Sequence, residues 1–222
     1  PDRGVVAILR QEDECRNKTA ELVAAEEDAG AATLAQAADL HGDLEQVLGD
    51  VLGEVLSIFG SDRAWLVYPC DPESPTWRTV MERTVPAFPP ALAHNVDIPM
   101  SQRVAANFVR ARATDGATCF GPDSDPPIDD AATTLYQIRS QMSMVLYPAV
   151  DKPYLFGVHQ CATPRTWSAR EQRLFVEIGR RVSDGVNSLV TLRRLRESEA
   201  RLAEAQRIAH VGHWQRDLLS GE

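Results

Sequence analysis

The sequence predicts an α+β fold in which one antiparallel sheet is flanked by helices, and three observations support this prediction. The first 60 residues carry a helical pattern, the middle of the 222-residue chain holds short strand-like segments joined by turns, and the last third returns to a long helix. Strands and helices alternate without a regular βαβ rhythm. A sheet of mainly antiparallel strands with helices packed on it is therefore expected.

The N-terminal part of the chain is predicted to be helical. Residues 1–42 form a separate helical segment in this interpretation, because Ala, Glu, Leu and Gln dominate them. A break is expected at residues 41–43, where Asp43 would cap a second helix. That helix ends at Gly60, and its apolar residues recur every three or four positions: Leu44, Val47, Leu48, Val51, Leu52, Val55, Leu56 and Phe59.

The central part of the chain shows strand patterns. Residues 64–68 and 77–85 are rich in β-branched and aromatic residues, and the turn at 71–75 between them predicts a hairpin. Further elements are expected in this order: a short helix capped by Ser101, a strand at 118–120, a short helix near 129–138, and strands at 142–147 and 154–161.

The C-terminal part is predicted to be one long helix. Ser168 and Glu171 have the spacing of a capping box. Leu195, Leu202 and Ala209 are seven residues apart, which is typical of a two-stranded coiled coil. Residues 191–209 are therefore predicted to be a coiled-coil linker helix, and the terminal helices are expected to form a homodimer. Residues 210–222 look like the start of another domain, whose first strand would be frayed or paired with a neighbouring chain.

Composition excludes several classes of function. The net charge of −9, from 23 basic and 32 acidic residues, argues against a nucleic-acid partner or an anionic membrane surface. No apolar run approaches the roughly 18 residues of a membrane span, and no signal peptide is evident. Since the chain begins with Pro1, it is expected to be a fragment of a longer protein. Four cysteines without a CxxC pair suit a reducing, cytoplasmic location. The motifs GxSxG, HExxH and the P-loop are absent from the sequence, so no enzymatic activity is expected of this fragment.

Two segments carry a resemblance to a known family. Residues 140–148 (SQMSMVLYP) and 156–167 (FGVHQCATPRTW) resemble the end of a GAF domain, of the kind found in phytochrome-like sensors and GAF-containing sensor histidine kinases. Residues 197–214 (ESEARLAEAQRIAHVGHW) resemble the linker and opening of a PAS domain in such kinases. The GAF resemblance covers about residues 43–190. It implies a cytoplasmic, dimerising sensor module that binds a small ligand on its sheet, with the kinase core elsewhere in the protein.

The resemblance directs attention to side chains of the predicted sheet. Alternation places His159 and Cys161 on one face of the last strand, together with Gly157, whose small size leaves room for a ligand. The alternative interpretation is that His159 is a hydrogen-bonded core residue and that Cys161 is a small buried apolar group. The candidate ligand contacts are His159, Cys161, Tyr147, Phe156, Trp65 and Met144.

Several ligands remain open at this stage. A colourless small molecule, a tetrapyrrole (bilin or heme) and no ligand at all are each consistent with the sequence, and heme would need an axial ligand such as His94 or His159. A closed zinc site needs four ligands, and spacing alone does not show that His94 or Cys119 would join His159 and Cys161. The resemblance implies a Cys-His pair in the helix before residue 140 for a covalently bound bilin. Residues 131–140 (AATTLYQIRS) contain neither residue, and residues 117–120 (ATCF) lack the Asp of a second attachment pattern.

Overall fold

A computed structural model describes residues 33–91, 95–121, 124 and 136–209 of the chain. Along the chain, its elements are α1 (Thr33–Phe59), β1 (Arg63–Tyr68), β2 (Thr76–Thr84), β3 (Ile98–Pro99), α2 (Gln102–Ala113), β4 (Thr118–Phe120), β5 (Ser140–Leu146), β6 (Tyr154–Gln160) and α3 (Ala169–Ala209).

Six strands of the described chain form one antiparallel sheet in the order β3-β2-β1-β6-β5-β4. The predicted α+β class and the predicted hairpin, here β1 with β2, are confirmed. At the centre of the sheet, Trp65 on β1 lies opposite Gly157 on β6, and Arg63 lies opposite His159. This register determines which side chains meet on each face of the sheet.

One face of the sheet packs against α1 and α3, and this layer is the main hydrophobic core. Phe156 of β6 is fully buried there, and its ring stacks on Phe175 of α3 with centroids 4.7 Å apart. Met144 of β5 lies against Gly179 of α3, where even one added methyl group would collide with its sulfur atom. Removing a buried aromatic ring such as that of Phe156 costs about 3–5 kcal/mol, so this layer supplies much of the stability.

The opposite face of the sheet has a smaller apolar cluster. Trp65, Val67 and Leu155 pack there against Phe108 and Ala111 of α2. The chain between β2 and β3 and the chain before β5 also reach this face, because Pro89 and Tyr136 both contact the β1 residue Arg63. This second layer contains the polar groups described in the next subsection.

Local signals identified most helix ends correctly. Ser101 caps α2, since its hydroxyl accepts a hydrogen bond from the Val104 amide at 3.2 Å. Ser168 and Glu171 form the predicted capping box, in which the Ser168 amide donates to the Glu171 carboxylate at 2.7 Å. Gly60 follows the end of α1 with a φ of +55°, a left-handed conformation that glycine adopts without steric cost.

The predicted break at residues 41–43 is wrong, because α1 runs through this cluster without interruption from Thr33 to Phe59. A glycine within a helix costs about 1 kcal/mol, which the packing of an amphipathic helix outweighs. At the other end of the domain, α3 continues as one helix of 41 residues through the predicted linker at 191–209. The predicted short helix does not include Ile138, which lies between Tyr136 and the start of β5 outside any helix.

Some sequence-based predictions fall outside the described residues. These are the helical segment up to residue 32, His94, most of the short helix near 129–138, and the PAS-like start at 210–222. Among the helices that the structure describes, none combines the length and apolar character that a membrane crossing requires.

Candidate ligand site on the sheet face opposite the long helices

The centre of the site is an aromatic group built by two neighbouring strands. Trp65 of β1 lies across Gly157 of β6, and a Cβ atom on Gly157 would overlap the six-membered ring of Trp65. The Trp65 ring also contacts His159, with centroids 5.0 Å apart and planes at 40°. Gly157 therefore has a packing role, because only glycine lets the indole lie this close to the backbone of β6.

His159 is buried and electrically neutral. Burial first, and then the positive charge of Arg63, lower the pKa of His159 to about 3. Its Nδ1 atom is buried and has no hydrogen-bond partner among the described residues, and the same is true of Nε1 of Trp65. Buried polar atoms usually have partners, so these two adjacent rings offer hydrogen-bonding capacity that the described part of the chain leaves unused.

Arg63 forms hydrogen bonds with both of the segments that cover this face, the one between β2 and β3 and the one before β5. Its Nε donates to the carbonyl oxygen of Pro89 at 3.0 Å, and its Nη1 donates to the carbonyl oxygen of Tyr136 at 2.6 Å and to the sulfur of Cys161 at 3.3 Å. The Arg63 side chain is 4% exposed. A buried guanidinium that crosslinks two covering segments fixes their position over the site, and it places a positive charge beside His159.

Glu82 of β2 supplies the opposite charge. Its Oε1 lies 3.9 Å from Nε of Arg63 and accepts a hydrogen bond from the Ala91 amide at 3.4 Å, while its buried Oε2 has no partner among the described residues. Burial raises the pKa of Glu82 above its usual range, against the smaller opposing effects of the Ala91 amide and Arg63. The site therefore contains one incompletely paired buried ion pair next to a neutral imidazole.

The described cysteines are poorly suited to act as nucleophiles. Burial raises the pKa of Cys161 to about 11, of Cys119 to about 11 and of Cys70 to about 12. The thiolate is the reactive form of cysteine, and a pKa this high leaves very little of it near neutral pH. Among the described residues, no group of three His, Cys, Asp or Glu side chains could hold a metal ion.

The structure divides the six predicted contacts between the two faces of the sheet. Trp65 and His159 lie together on the face described here, and Cys161 reaches the same cluster through Arg63. Phe156 and Met144 lie on the other face, in the core beneath α1 and α3. Tyr147 follows the end of β5 and is 58% exposed. A ligand on the His159 face would therefore be separated from Phe156 and Met144 by the sheet itself.

A second polar network closes the end of the sheet next to the site. Oδ2 of Asp62 accepts hydrogen bonds from the Gln160 side chain at 2.8 Å and from the amides of Cys161 and Ala162 at 2.6 and 2.9 Å. Asp62 thus fixes the chain as it leaves β6.

Arg165 connects this end of the sheet to both long helices. Its guanidinium donates to the carbonyl oxygen of Phe59 at the end of α1, to Gln160 at 3.1 Å, and to Glu171 in the first turn of α3. It also lies over the Trp167 ring, 4.3 Å from its centroid. The Arg and Trp of the segment 164–167 (PRTW) therefore form a junction between elements rather than part of the His159 site.

Sequence reasoning missed Arg63, Glu82 and Asp62. Arg63 has the same strand parity as Trp65, which could have indicated that it lies on the same face. The register between β1 and β2, which places Glu82 opposite Trp65, is not readable from the sequence.

Comparisons with known proteins bear on the fold. No family model and no curated protein matches the chain. Among solved structures, the photoproduct state of GAF3 of Slr1393 from Synechocystis sp. PCC6803 is 20% identical, with a TM-score of 0.55 over 68% of this chain and 98% of that chain. The blue-light absorbing form of the PixJ GAF domain from Thermosynechococcus elongatus is 17% identical, with a TM-score of 0.51 over 77% and 95%.

A third similar structure is the phycoerythrobilin-bound GAF domain from a cyanobacterial phytochrome. It is 14% identical, with a TM-score of 0.52 over 82% of this chain and 96% of that chain. At such identities the likeness shows the fold alone. The chain has a GAF fold, as the resemblance implied.

Proposed function

We propose that this chain is the sensory input module of a multidomain signalling protein, and that it binds a tetrapyrrole without a covalent bond on the sheet face that carries His159. The observation that carries the proposal is the pair of adjacent buried rings, His159 and Trp65, whose Nδ1 and Nε1 atoms have no partner among the described residues. In addition, the fold is shared with the phycoerythrobilin-bound GAF domain from a cyanobacterial phytochrome.

The side chains of this face match the chemistry of a tetrapyrrole. Its ring nitrogens and carbonyl groups would use the hydrogen-bonding capacity of His159 and Trp65, and its acidic side arms would compensate the charge of Arg63. A tetrapyrrole supplies visible-light absorption or, as heme, redox and gas binding. Trp65 fills the space over Gly157, so binding requires this ring to move aside.

The proposal excludes a thioether bond to the described cysteines. Cys70 and Cys161 are buried, Cys119 is half-buried, and the pKa values of all three thiols are raised. Attachment would therefore need deprotonation of a thiol whose surroundings disfavour the thiolate. Reversible binding is the form that these residues support.

The proposed cellular context and oligomeric state rest on the sequence resemblance. We place the module in a cytoplasmic sensor histidine kinase, with no catalysis by this fragment itself, and we expect it to act as a homodimer through its long helices. Leu195 and Leu202 of α3 support the dimer, because both are exposed at helical positions seven residues apart. In such an arrangement, ligand binding would act by favouring one packing of the helices over another.

The experiment that tests the ligand is an absorption spectrum of the purified protein, recorded alone and after incubation with heme and with biliverdin. We expect a Soret or red band that remains after gel filtration and is lost in His159→Leu. Tyr147→Phe, at an exposed position beyond the end of β5, serves as the control and should retain the band.

Spectra that stay flat with both compounds would refute the tetrapyrrole assignment. A screen of colourless metabolites by thermal shift would then test the alternative ligand class, because a bound ligand stabilises the folded state by mass action. Protein that responds to none of them would be a ligand-free dimerisation module.

A further inference from the structure

On the helix side of the sheet, away from His159, a cleft of about 190 Å³ lies between the edge strand β4 and the start of α3. Its lining includes Cys119, Phe120, Gly121, Thr166, Trp167 and Gln172. An apolar cavity of about 150 Å³ accommodates benzene, so this space is large enough for one or two small rings.

The walls of the cleft favour an aromatic ligand. Trp167 supplies aromatic surface, and Cys119 adds a half-buried thiol that packs against the core. The ring of Phe120 points to the other face of the sheet, where Arg110 of α2 lies over it, so Phe120 lines the cleft with its backbone. Gly121 closes one end, because its backbone approaches the Arg165 carbonyl so closely that an added Cβ would lie 3.0 Å from that oxygen. Flat rings gain more from such walls than flexible chains do, since they bury apolar area at little cost in conformational entropy.

The indole N–H of Trp167 determines which polar group a ligand of this cleft should carry. Its side chain is 4% exposed, and its Nε1 atom has no acceptor among the described residues. A buried indole N–H without an acceptor carries a desolvation cost that a ligand carbonyl or ring nitrogen would remove. The ligand should therefore carry a hydrogen-bond acceptor.

The charges around the cleft favour an uncharged acceptor. The guanidinium of Arg165 is already bound to Glu171, Gln160 and the Phe59 carbonyl, and it lies over the Trp167 ring. The charge of Glu171 also adds to burial in raising the pKa of Cys119. Among the described residues, the guanidinium that lines the cleft is already paired, so a carboxylate would gain less there than an uncharged acceptor does.

We propose that this cleft is a second small-molecule site, which takes an uncharged aromatic compound of one or two rings with a carbonyl or ring-nitrogen acceptor for Trp167 Nε1. The site is independent of the His159 face, because the sheet separates the two. Since Gln172 of the cleft belongs to the first turn of α3, an occupant here would contact the helix that leads out of the domain.

The test uses the ¹⁵N-labelled chain and titration with benzamide, which carries a carbonyl acceptor. The indole N–H resonance of Trp167, assigned through Trp167→Phe, should move downfield with saturation at a roughly millimolar dissociation constant, as suits a probe of this size. Toluene should produce no comparable downfield movement, because it has no acceptor, and benzoate should bind more weakly than benzamide.

Two variants locate the binding. Cys119→Leu narrows the cleft and should weaken benzamide binding about tenfold or more, a loss of about 1.4 kcal/mol. Cys119→Ser keeps the space open and should bind as the parent does. If Cys119→Leu does not fold, Thr166→Phe at the exposed rim of the cleft replaces it.

Three results would overturn the proposal: no saturable movement of the Trp167 resonance, equal binding by the narrowed variant, or movement of the Trp65 indole resonance instead. The last result would place benzamide on the His159 face. The spectral test of the tetrapyrrole does not involve Cys119 or Trp167, so either proposal can fail while the other holds.

Discussion

Asp62 illustrates how much of this structure rests on single buried polar residues. One oxygen of its carboxylate accepts three hydrogen bonds from residues 160–162. Two of the donors are backbone amides, which cannot rotate toward another acceptor as a side chain can. A buried donor left without a partner costs about 1–3 kcal/mol. A side chain that immediately precedes β1 therefore holds the end of β6 in place.

Replacing Asp62 should therefore be costly. Asp62→Ala is expected to lower the free energy of unfolding by about 2–3 kcal/mol, as measured by urea denaturation, because it leaves the buried Cys161 amide and the buried Gln160 side-chain amide without their acceptor. Asp97→Ala is the matched control, since Asp97 is an exposed partner of Arg78, and it should change stability by less than about 0.5 kcal/mol. Equal effects of the two substitutions would contradict the role assigned to Asp62.

His159 predicts a dependence of stability on pH. Its pKa in the folded state is about 3, while the unfolded value is 6.5, so protons bind preferentially to the unfolded chain between these two values. The stability due to the neutral imidazole is complete above pH 6.5 and is lost as the pH falls toward 3. Between pH 7.5 and pH 5, the free energy of unfolding should fall by about 2 kcal/mol from this residue.

The measurement compares the parent with His159→Gln at both pH values. Glu82 titrates in the opposite sense, since its raised pKa lets the folded state take up a proton as the pH falls, and this partly offsets the loss. The variant retains Glu82, so the difference between the two proteins isolates His159. A parent and a variant with the same pH dependence would show that the imidazole is not buried in its neutral form.

At the scale of elements, the pairing of β1 with β6 determines the geometry of the site. Gly157→Ala would force the Trp65 ring away from β6, and we expect a loss of about 1–3 kcal/mol together with a changed near-ultraviolet circular dichroism spectrum. Gly53→Ala in α1 is the control, because a Cβ there meets nothing within 4 Å and alanine favours the helix. If Gly157→Ala were as harmless as Gly53→Ala, the close contact with Trp65 would be wrong.

The same elements show what the sequence could predict. Caps at Ser101 and Ser168, the β1–β2 hairpin and the short strand β4 depend on signals within a few residues, and all are confirmed. The break expected at 41–43 depended on local propensity alone. It failed because packing of α1 against distant residues of α3, such as Leu48 beside Gly185, stabilises the helix.

The site was only partly predictable because it too depends on contacts between residues that are distant in the sequence. Strand parity correctly placed Gly157 and His159 on one face, but the role of Arg63 was not foreseen. Its side chain is buried because Pro89 and Tyr136, 26 and 73 residues away, cover it. Phe156 and Met144 lie on the helix face, and sequence alone does not say which face of a sheet in this fold is covered by helices.

At the scale of the whole molecule, the long helices carry the proposed dimer. Leu195 is 37% exposed and Leu202 is 60% exposed, so a second copy would bury both. We expect the parent to be a dimer by multi-angle light scattering, and Leu195→Glu with Leu202→Glu to be a monomer that keeps the near-ultraviolet circular dichroism spectrum of the sheet domain.

A control separates this helix from other exposed apolar groups. Tyr147→Ser removes an exposed aromatic ring near the β5–β6 hairpin and should leave the dimer intact. A monomeric parent at high protein concentration would refute the dimer, as would a dimer that survives both glutamates.

The junction at Arg165 has a mechanical consequence. It fastens the end of α1, the end of β6 and the first turn of α3 at one point, while α3 extends about 60 Å from there to Ala209 at 1.5 Å per residue. A rod of that length pivoting at one end moves its tip by about 1 Å for every degree of tilt. Displacements at the sheet too small to alter its hydrogen bonding would thus reach the far end of α3 as shifts comparable to a side-chain contact.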